Sequence, residues 1–507
     1  MKKTLRTISF LLLISIMLIN ICACSPREEK GETGKDTLNI CVNSDVSQFN
    51  PAVTNSYTDI LALLQVYEPL VYKKGTEFVP GLADSWKIND DSTSIELKLR
   101  KDATFHDGSP CTADDVVFTF DTILARPSAA SARERYKKVT ATDPNTVVIE
   151  LNDSIPAILS YLSSPSMGII SKAYVTEKGD DAYIYPIGTG AYKLLKWDKG
   201  SRISFEAYDK YNGPKASIRY LNFNVVKDNS TALVSLESGN NDVILSVPES
   251  DLTLVKKNDK LEMMTAPSRS SSTLVFNIRK GIMTDQNLRL AVAYAIDRNA
   301  INKIAYENSG FLAKGAYEGD LFYSGKDYSY DHDVVKAKEY LEKSNYKKEQ
   351  TITIKTADAY GDVIPQIIQG QLSEIGVNLK IESLEMNAHS QDYLNGNFEI
   401  IFAGGSSIIP DQASNLHSSY YWPDNTWSPS SPDDDRFNSM LDDIAAETDA
   451  KQRTAKVDKM MQQLYELCNE VPLITKMSNI VYRKGLQGVY VDPAEMFYCF
   501  RDFSWEK

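Results

Sequence analysis

Histidine and cysteine are scarce in this chain of 507 residues, which has only four histidines and six cysteines. It contains no C-x-x-C pair, no H-E-x-x-H motif and no histidine-rich tract, so it indicates neither a zinc site nor a redox dithiol. We therefore expect no metal and no cofactor. A body of this size requires no disulfide. The cysteines that come after the N-terminal leader are Cys41, Cys111, Cys468 and Cys499, of which Cys41 and Cys499 would pair if the two chain ends meet.

The motifs of catalysis and nucleotide binding are also missing. There is no G-x-S-x-G elbow and no G-x-x-x-x-G-K-[ST] phosphate loop, and Gly188-Thr189-Gly190 lacks the third glycine of a dinucleotide fingerprint. Acidic pairs such as Asp114-Asp115 lie in cap-like positions, where solvated charge is the usual explanation. We therefore predict that the protein is not an enzyme.

A surplus of basic residues and a long apolar run are absent from the body of the chain. The formal net charge is −13, which argues against a nucleic-acid partner because such a partner requires a basic face. No apolar run after the leader approaches the ~20 residues that a spanning helix needs. With 42% hydrophobic residues, the chain is instead typical of a large, acidic globular protein of several domains.

The first 24 residues have the organisation of a secretory leader. Three basic residues precede an uncharged apolar stretch at 8–19, which is too short to span a membrane. The leader closes with Ile21-Cys22-Ala23-Cys24, which resembles a bacterial lipobox with an unusual cysteine at its second position. We predict a signal peptide at 1–23, a lipid on the thiol of Cys24, and a polar, flexible linker at 24–36.

The first part of the body has the pattern of an antiparallel sheet with a helix. Apolar and charged residues alternate at 95–100, and apolar residues recur at every second position in 147–151, which is typical of half-buried strands. Thr112 begins a capping-box pattern with Asp115, and apolar residues at helical spacing come next. We therefore interpret 70–185 as an α+β unit.

The second part of the body has a different pattern. A strand at 352–354, a helix that begins near Val363 and a strand at 377–381 succeed one another with short links. This order predicts a right-handed parallel unit inside an α/β lobe at about 285–475. The residues from 481 to 500 are again strand-like and are placed to rejoin the first lobe.

One long stretch, LRKDATFHDGSPCTADDVVF at 99–118, closely resembles the signature of a known family. This family is the extracellular solute-binding proteins of the peptide, opine and nickel ABC-importer class, which includes the dipeptide- and oligopeptide-binding proteins. Within the signature we interpret His106 as a turn or packing residue. Shorter matching segments cover the chain from Thr37 to its end, at 67–70, 80–86, 188–192, 236–240 and 288–298.

The resemblance implies an α/β, two-lobed, hinged (Venus-flytrap) periplasmic-binding-protein fold with an additional α+β subdomain inserted in lobe I. Two hinge segments would lie near Lys280–Gly281 and Lys476–Met477, where small backbone changes give large closure. The implied boundaries are 37–66, 185–279 and 477–507 for lobe I, 67–184 for the additional subdomain, and 280–476 for lobe II.

The resemblance also implies a function. The protein would be the substrate-binding lipoprotein of an ABC importer, anchored on the extracytoplasmic face of the cell membrane. It would capture a peptide or peptide-like solute as a monomer and deliver it to a permease with its ATPase. An oligosaccharide or a metal chelate is the alternative ligand, and a sensor or chaperone role on the same fold is the alternative function.

The expected ligand site departs from the peptide binders of this family. Those proteins carry an aspartate, four residues before a proline in lobe II, that pairs with the ligand's α-amino group; counting back from Pro410 gives Ser406. A hydroxyl cannot neutralise a cation in a closed cleft, so a free-amine peptide is expected only if Asp411 substitutes. A polar segment at 269–272, which we place before the strand at 274–277, faces the site from lobe I. The candidate ligand-binding residues are Ser406, Ser407, Asp411, Tyr421, Trp422, Trp427, Arg269 as a carboxylate partner, and Ser271.

The lipid anchor can be tested by substituting its acceptor. Cys24→Ser removes the thiol that would be acylated, and several acyl chains at roughly 0.8 kcal/mol per buried methylene hold such a protein to a membrane. We expect the variant in the soluble fraction or the medium after cell fractionation, while Cys22→Ser stays with the membrane. Membrane association of both variants would contradict the anchor.

Overall fold

The computed structural model describes residues 36–506 with internal gaps, and the leader and Cys24 lie outside the described residues. The side chains of 405 and 406 are likewise outside it, although their backbone is described. The gaps are 54–55, 75–76, 127–132, 134, 249–250, 319–321, 407–410, 422–428, 433 and 493–496.

The strands are numbered in chain order. They are β1 (Thr37–Val42), β2 (Val71–Lys74), β3 (Glu77–Pro80), β4 (Ala83–Ile88), β5 (Ser94–Leu99), β6 (Tyr136–Asp143), β7 (Thr146–Leu151), β8 (Tyr192–Asp198), β9 (Arg202–Ala207), β10 (Tyr220–Val225), β11 (Val243–Ile244), β12 (Leu261–Phe276), β13 (Phe311–Leu312), β14 (Thr351–Ala357), β15 (Asn378–Leu384), β16 (Ile400–Ser406), β17 (Glu470–Arg483), β18 (Leu486–Gln487) and β19 (Ser504–Trp505).

The α-helices are numbered in the same way. They are α1 (Tyr57–Val66), α2 (Ala113–Leu124), α3 (Ile158–Leu162), α4 (Lys172–Lys178), α5 (Asn229–Glu237), α6 (Leu252–Lys256), α7 (Gln286–Ala295), α8 (Arg298–Ala305), α9 (Val334–Lys343), α10 (Val363–Glu374), α11 (Met386–Asn395), α12 (Gln412–Tyr420), α13 (Asp435–Ala446) and α14 (Ala450–Leu467).

A single mixed sheet passes through both lobes. Its order is β15-β14-β16-β12-β17-β11-β1-β10-β9-β8, with β13 beside β17. β12 and β17 are antiparallel neighbours at the centre of this order, and they are 16 and 14 residues long. Strands of that length reach roughly 50 Å, so each one contributes to both lobes.

Each lobe has its own apolar core along the sheet. The core of the first lobe includes Ile40 of β1, Phe205 of β9 and Phe500 of the C-terminal segment, all fully buried. The core of the second lobe includes Leu274 of β12 and Ile354 of β14. The C-terminal residues therefore return to the first lobe, as their apolar character predicts, although β17 ends at Arg483 and most of the described chain beyond it is not strand.

The segment at 269–272 differs from our expectation. We placed it before a strand, but it lies inside β12, whose start packs in the first lobe and whose end packs in the second. The register of β12 against β17 jumps from Pro267↔Met477 to Ser271↔Thr475, so β12 has two extra residues there. Such a bulge bends a strand and redirects its side chains, and it lies at the change of lobe.

The additional subdomain is a separate antiparallel sheet in the order β4-β5-β7-β6. β5 and β7 pair antiparallel, which confirms the interpretation of 95–100 and 147–151. The helix α2 covers this sheet and begins at the predicted capping box, where the backbone N–H of Thr112 donates to Asp115 Oδ2 at 2.9 Å. Apolar side chains from both layers, such as Phe120, form the core.

Two other sequence predictions are also met. β14 and β15 are parallel neighbours connected through α10, as the strand-helix-strand pattern indicates. His106 is a packing residue: its Nε2 lies 3.0 Å from the carbonyl oxygen of Gly190, and its Nδ1 accepts from the backbone N–H of Gly188 at 3.2 Å. Burial lowers the pKa of this imidazole to about 4, so it is neutral at pH 7.

The four cysteines of the body are free thiols, and the pairing of Cys41 with Cys499 does not form. Both belong to the first lobe, where burial raises the pKa of each thiol above its ordinary value. The two ends of the described body do meet there, because Trp505 Nε1 donates to the carbonyl oxygen of Thr37 at 3.1 Å.

A buried charged cluster joins the additional subdomain to the first lobe. Glu68 is fully buried, and the guanidinium of Arg100 donates to both of its carboxylate oxygens at 2.7 and 2.8 Å. The hydroxyl of Tyr211 donates to the same carboxylate at 2.8 Å and accepts from Arg501, which also donates to Tyr72 at 3.1 Å. The cluster therefore ties residues from three distant parts of the chain to one carboxylate.

Arg100→Met should destabilise the protein strongly. The change leaves the buried carboxylate of Glu68 without its cation, and breaking a buried pair in this way costs about 3–5 kcal/mol of unfolding free energy. Urea denaturation measures the loss. The matched control is Lys98→Met, since Lys98 pairs with Glu96 at 3.3 Å on the surface, where a pair is worth about 1 kcal/mol or less. Equal losses in the two variants would contradict the role given to Arg100.

Candidate functional site

A cavity of about 590 Å³ lies against the second-lobe part of the central sheet and begins at the bulge of β12. Its floor is formed by alternate residues of β12, namely Ser271, Thr273 and Val275. Leu274, between two of them, faces the second-lobe core instead. This is the alternation of a pleated strand, which gives one face to the core and the other to the cavity.

The neighbouring strands and two helices complete the wall of the cavity. Small residues at the end of β16, Ala403 and Gly404, leave space above the sheet. The helices α11 and α12 contribute the side chains that cover it, including His389 and Tyr420. The volume falls in the range of about 300–1,000 Å³ that is typical of sites for small molecules.

Arg269 supplies positive charge where the cavity meets the passage between the lobes. It lies in the bulge of β12, and the hydroxyl of Ser268 accepts from the backbone N–H of Ser270 at 3.0 Å across it. Its side chain lines the cavity and is 8% exposed. Because a guanidinium matches a carboxylate in shape and charge, this end of the cavity is suited to an anionic group.

Glu470, the first residue of β17, supplies negative charge at another part of the wall. It is the register partner of Val275, six residues along β12 from Arg269 and therefore up to roughly 20 Å away. Tyr420 donates a hydrogen bond to its carboxylate. Burial raises the pKa of Glu470 to about 7, and the hydrogen bond from Tyr420 partly opposes that rise.

His389 adds a polar but uncharged group to the wall. Its Nε2 lies 3.1 Å from the carbonyl oxygen of Phe402, a position in which it donates to that oxygen. Burial lowers the pKa of the imidazole, so the ring is neutral at pH 7. The ring also meets Tyr360 edge to face, with centroids 5.7 Å apart. His389 therefore helps to fix the shape of the cavity.

Two of the predicted ligand-binding residues, Arg269 and Ser271, line this cavity. Ser406 ends β16 and is the register partner of Ser270, so its backbone lies beside the bulge. Its side chain lies outside the described residues, as do Ser407, Trp422 and Trp427. These four residues stay predictions.

Asp411, the open alternative to the amine-binding aspartate, has its carboxylate inside the fold. Asp411 is fully buried, caps the start of α12 by accepting from the backbone N–H of Ser414 at 2.6 Å, and pairs with Arg453 at 3.0 Å. Its carboxylate is thereby neutralised inside the second lobe, and it does not line the cavity. Tyr421 does not line the cavity either; its ring stacks on His417, with centroids 4.4 Å apart.

Sequence reasoning missed the residues that give the cavity its aromatic and acidic wall. The preceding tyrosine, Tyr420, lines the cavity in place of Tyr421, and Tyr317 and Tyr393 do so from other parts of the chain. The sequence does hold one indication of Glu470, because this charged residue comes directly before the apolar run Val471-Pro472-Leu473-Ile474. A charged residue next to such a run either lies at the solvent-exposed end of a strand or has a functional role.

A second cavity, of about 660 Å³, lies in the second lobe next to Asn277 and Arg279. Its most buried cation, Arg289, already donates to backbone carbonyl oxygens, including those of Cys468 at 2.9 Å and Met283 at 2.7 Å. That guanidinium is a structural connector and is not available to a ligand. We therefore take the cavity at the bulge of β12 as the candidate site.

Neither metal ligands nor a membrane span is found in the part of the chain that the structure describes. No group of histidine, cysteine, aspartate and glutamate side chains there is arranged to hold a metal ion. Within the same residues, no helix is both long enough and apolar enough to cross a bilayer.

The model of one protein family matches residues 77–427, which is more than half of the chain; its description is bacterial extracellular solute-binding proteins, family 5. The chain belongs to this family. Among curated relatives, the dipeptide-binding protein of Escherichia coli K12 is 26% identical, over 90% of this chain and 92% of that protein. The glutathione-binding protein GsiB of the same strain is 22% identical over the same shares.

Solved structures have the same two-lobed fold. The substrate-binding protein CtaP of Listeria monocytogenes matches with a TM-score of 0.83 and 26% identity, over 93% of this chain and 99% of that chain. DppA of Helicobacter pylori, solved with the peptide STSA, matches with a TM-score of 0.75 and 25% identity, over 93% and 98%. NikZ of Campylobacter jejuni, solved with Ni(L-His), shares the fold with a TM-score of 0.75 and 24% identity over 93% and 100%.

This family 5 protein should become less stable than its Glu470→Gln variant as the pH rises. An unfolded glutamate ionises near pH 4.5, whereas folded Glu470 ionises near 7, so the folded protein holds one more proton between these values. The free energy of unfolding of the wild type should therefore fall relative to the variant between about pH 4.5 and 7, by on the order of 1–3 kcal/mol, and then level off.

Urea denaturation of ligand-free protein at a series of pH values measures this difference. Glu466→Gln is the matched control, because Glu466 is exposed at the end of α14 and its carboxylate contacts only Gln462 among the described side chains. The control should track the wild type. Parallel curves for the wild type and Glu470→Gln would contradict the raised pKa of Glu470.

Proposed function

We propose that this family 5 protein is the lipid-anchored substrate-binding subunit of an ABC importer for peptides or peptide-like solutes. It captures the solute between its two lobes and presents it to a membrane permease that works with an ATPase. The protein performs no chemical step on the solute. The observation that carries the proposal is a cavity on the second-lobe sheet, at the passage between lobes, with opposite charges on its wall.

The charges of the cavity favour a peptide-like solute. Arg269 at the bulge suits a carboxylate, and Glu470 suits a protonated amine, so a zwitterion finds a partner for each of its charges. β12 near the bulge also carries hydroxyl groups that line the cavity, such as that of Ser271, which can bond to peptide groups. The dipeptide- and glutathione-binding relatives support this class of ligand, since both bind peptides.

The division into lobes is part of the same proposal. We propose lobe I at 37–66, 185–266 and 477–507, the additional subdomain at 67–184, and lobe II at 272–476, with the bulge at 267–271 of β12 as the first passage in place of Lys280–Gly281. Closure about that bulge and the facing residues Thr475–Met477 would bring lobe I over the cavity.

The leader supports the location. A lipid on Cys24 would keep the receptor at the outer face of the membrane, next to its permease, and the polar segment at 24–36 would give it freedom to dock. A protein released into the medium would deliver little solute. The anchor and the monomeric state are parts of the proposal that biochemistry must test.

The ligand can be identified directly. Purification under native conditions, followed by denaturation and mass spectrometry of the released material, should yield peptides or peptide-like compounds. A deletion strain should lose uptake of the same compound and regain it with the wild-type gene. Intact uptake in the deletion strain would refute the transport role, and release of an oligosaccharide or a metal chelate would replace the peptide with the alternative ligand.

A further inference from the structure

Glu470 is half-buried at the cavity wall, and it differs in its partners from the buried carboxylates of the same protein. Glu68 and Asp411 each pair with an arginine inside the fold. Asp59 accepts from the backbone N–H and the hydroxyl of Ser47, both at 2.7 Å. Asp242 accepts from Asn39 and lies 3.3 Å from Arg483. The fold thus gives each of these carboxylates either a cation or at least two donors.

Glu470 receives much less from the described part of the chain. Tyr420 donates one hydrogen bond to it, and none of the ion pairs between described residues includes it. The cation of the cavity, Arg269, lies six residues along β12 from the register partner of Glu470, and these two described side chains form no ion pair with each other. His389 is neutral at pH 7 and does not supply the charge.

The surroundings of Glu470 are those of a site for a cation. Tyr317, Tyr393 and Tyr420 line the same cavity, and burial, together with the nearby charge of Glu470, raises the pKa of the Tyr393 and Tyr420 hydroxyls, which stay neutral at pH 7. Tyrosine rings add attraction for a cation through their faces, and a poorly hydrated carboxylate gains most from an opposite charge. Glu470 is half-buried and lines the cavity, so a cationic group of the ligand can reach its carboxylate.

We propose that Glu470 and its tyrosines form a subsite for a cationic group of the ligand, a protonated amine or a guanidinium. The inference rests on the proposed function, because it names the chemistry of the solute that the importer would take. Ser406, where peptide binders carry an aspartate, ends β16 beside the bulge. Glu470 lies five register positions further along β12, so the subsite is in a different place from the α-amino site of those proteins.

The two sources of a cation on a peptide are its α-amine and a basic side chain. Three tripeptides separate them: Ala-Lys-Ala, the same peptide with norleucine for lysine, and Ala-Lys-Ala with an acetylated N-terminus. Norleucine keeps the apolar stem and removes the side-chain charge, whereas acetylation removes only the α-amine charge. Isothermal titration calorimetry at pH 7.5 measures binding of each peptide to the wild type and its variants.

The wild type should bind Ala-Lys-Ala about tenfold or more tightly than the peptide that lacks the recognised cation. Glu470→Gln should abolish that preference, since the amide keeps the shape of the side chain and a hydrogen bond with Tyr420 but loses the charge. Glu466→Gln removes the same charge outside the cavity and should keep the preference. Thermal unfolding confirms that both variants are folded.

Several results would overturn the inference. Glu470→Gln with an unchanged preference would exclude the residue, and equal binding of all three peptides by the wild type would exclude a cationic subsite. A natively bound solute without a cationic group would overturn the subsite while leaving the importer role intact. Absence of any bound solute and of binding to all three peptides, together with normal uptake in a deletion strain, would refute the proposed function and this inference with it.

Discussion

The antiparallel pairing of β12 with β17 is the interaction on which the rest of the molecule depends. Both strands belong to both lobes, so one ladder fixes the first-lobe sheet through Leu261↔Arg483 and the second-lobe sheet through Val275↔Glu470. Two extra residues in β12 interrupt the ladder where the lobes meet, and the interruption places a cation, Arg269, at the mouth of the cavity. Architecture and recognition are therefore set by the same short segment.

Local signals in the sequence predicted most of the fold. The alternation in 95–100 and 147–151, the capping box from Thr112 to Asp115, and the strand-helix-strand order around α10 all depend on residues close in sequence, and all three are correct. The signature at 99–118 indicated the family correctly, and its histidine, His106, is a packing residue as expected. Such features arise from backbone chemistry and burial period alone, which a single sequence contains.

The candidate site was predicted much less well, because it is made by tertiary contacts. The sequence shows the hydroxyl groups and Arg269 at 269–272, but it does not show that a bulge carries them inside a long strand. Asp411 looks like a free carboxylate in sequence, yet Arg453, 42 residues later, neutralises it. We expected Tyr421 to contact the ligand, but the preceding residue, Tyr420, lines the cavity. The direction of each side chain at the end of α12 decides which of the two tyrosines faces the cavity.

Charge compensation inside the protein explains which acidic residue is left for a ligand. A carboxylate out of water is costly unless cations or donors surround it, and the fold meets that requirement at Glu68, Asp59, Asp242 and Asp411 with its own groups. Glu470 is accompanied by tyrosines, which give one hydrogen bond and no charge. Without a ligand, the partly desolvated carboxylate of Glu470 lowers the free energy of unfolding. A cation that enters with the ligand compensates its charge, so the residue that destabilises the empty receptor also makes binding selective.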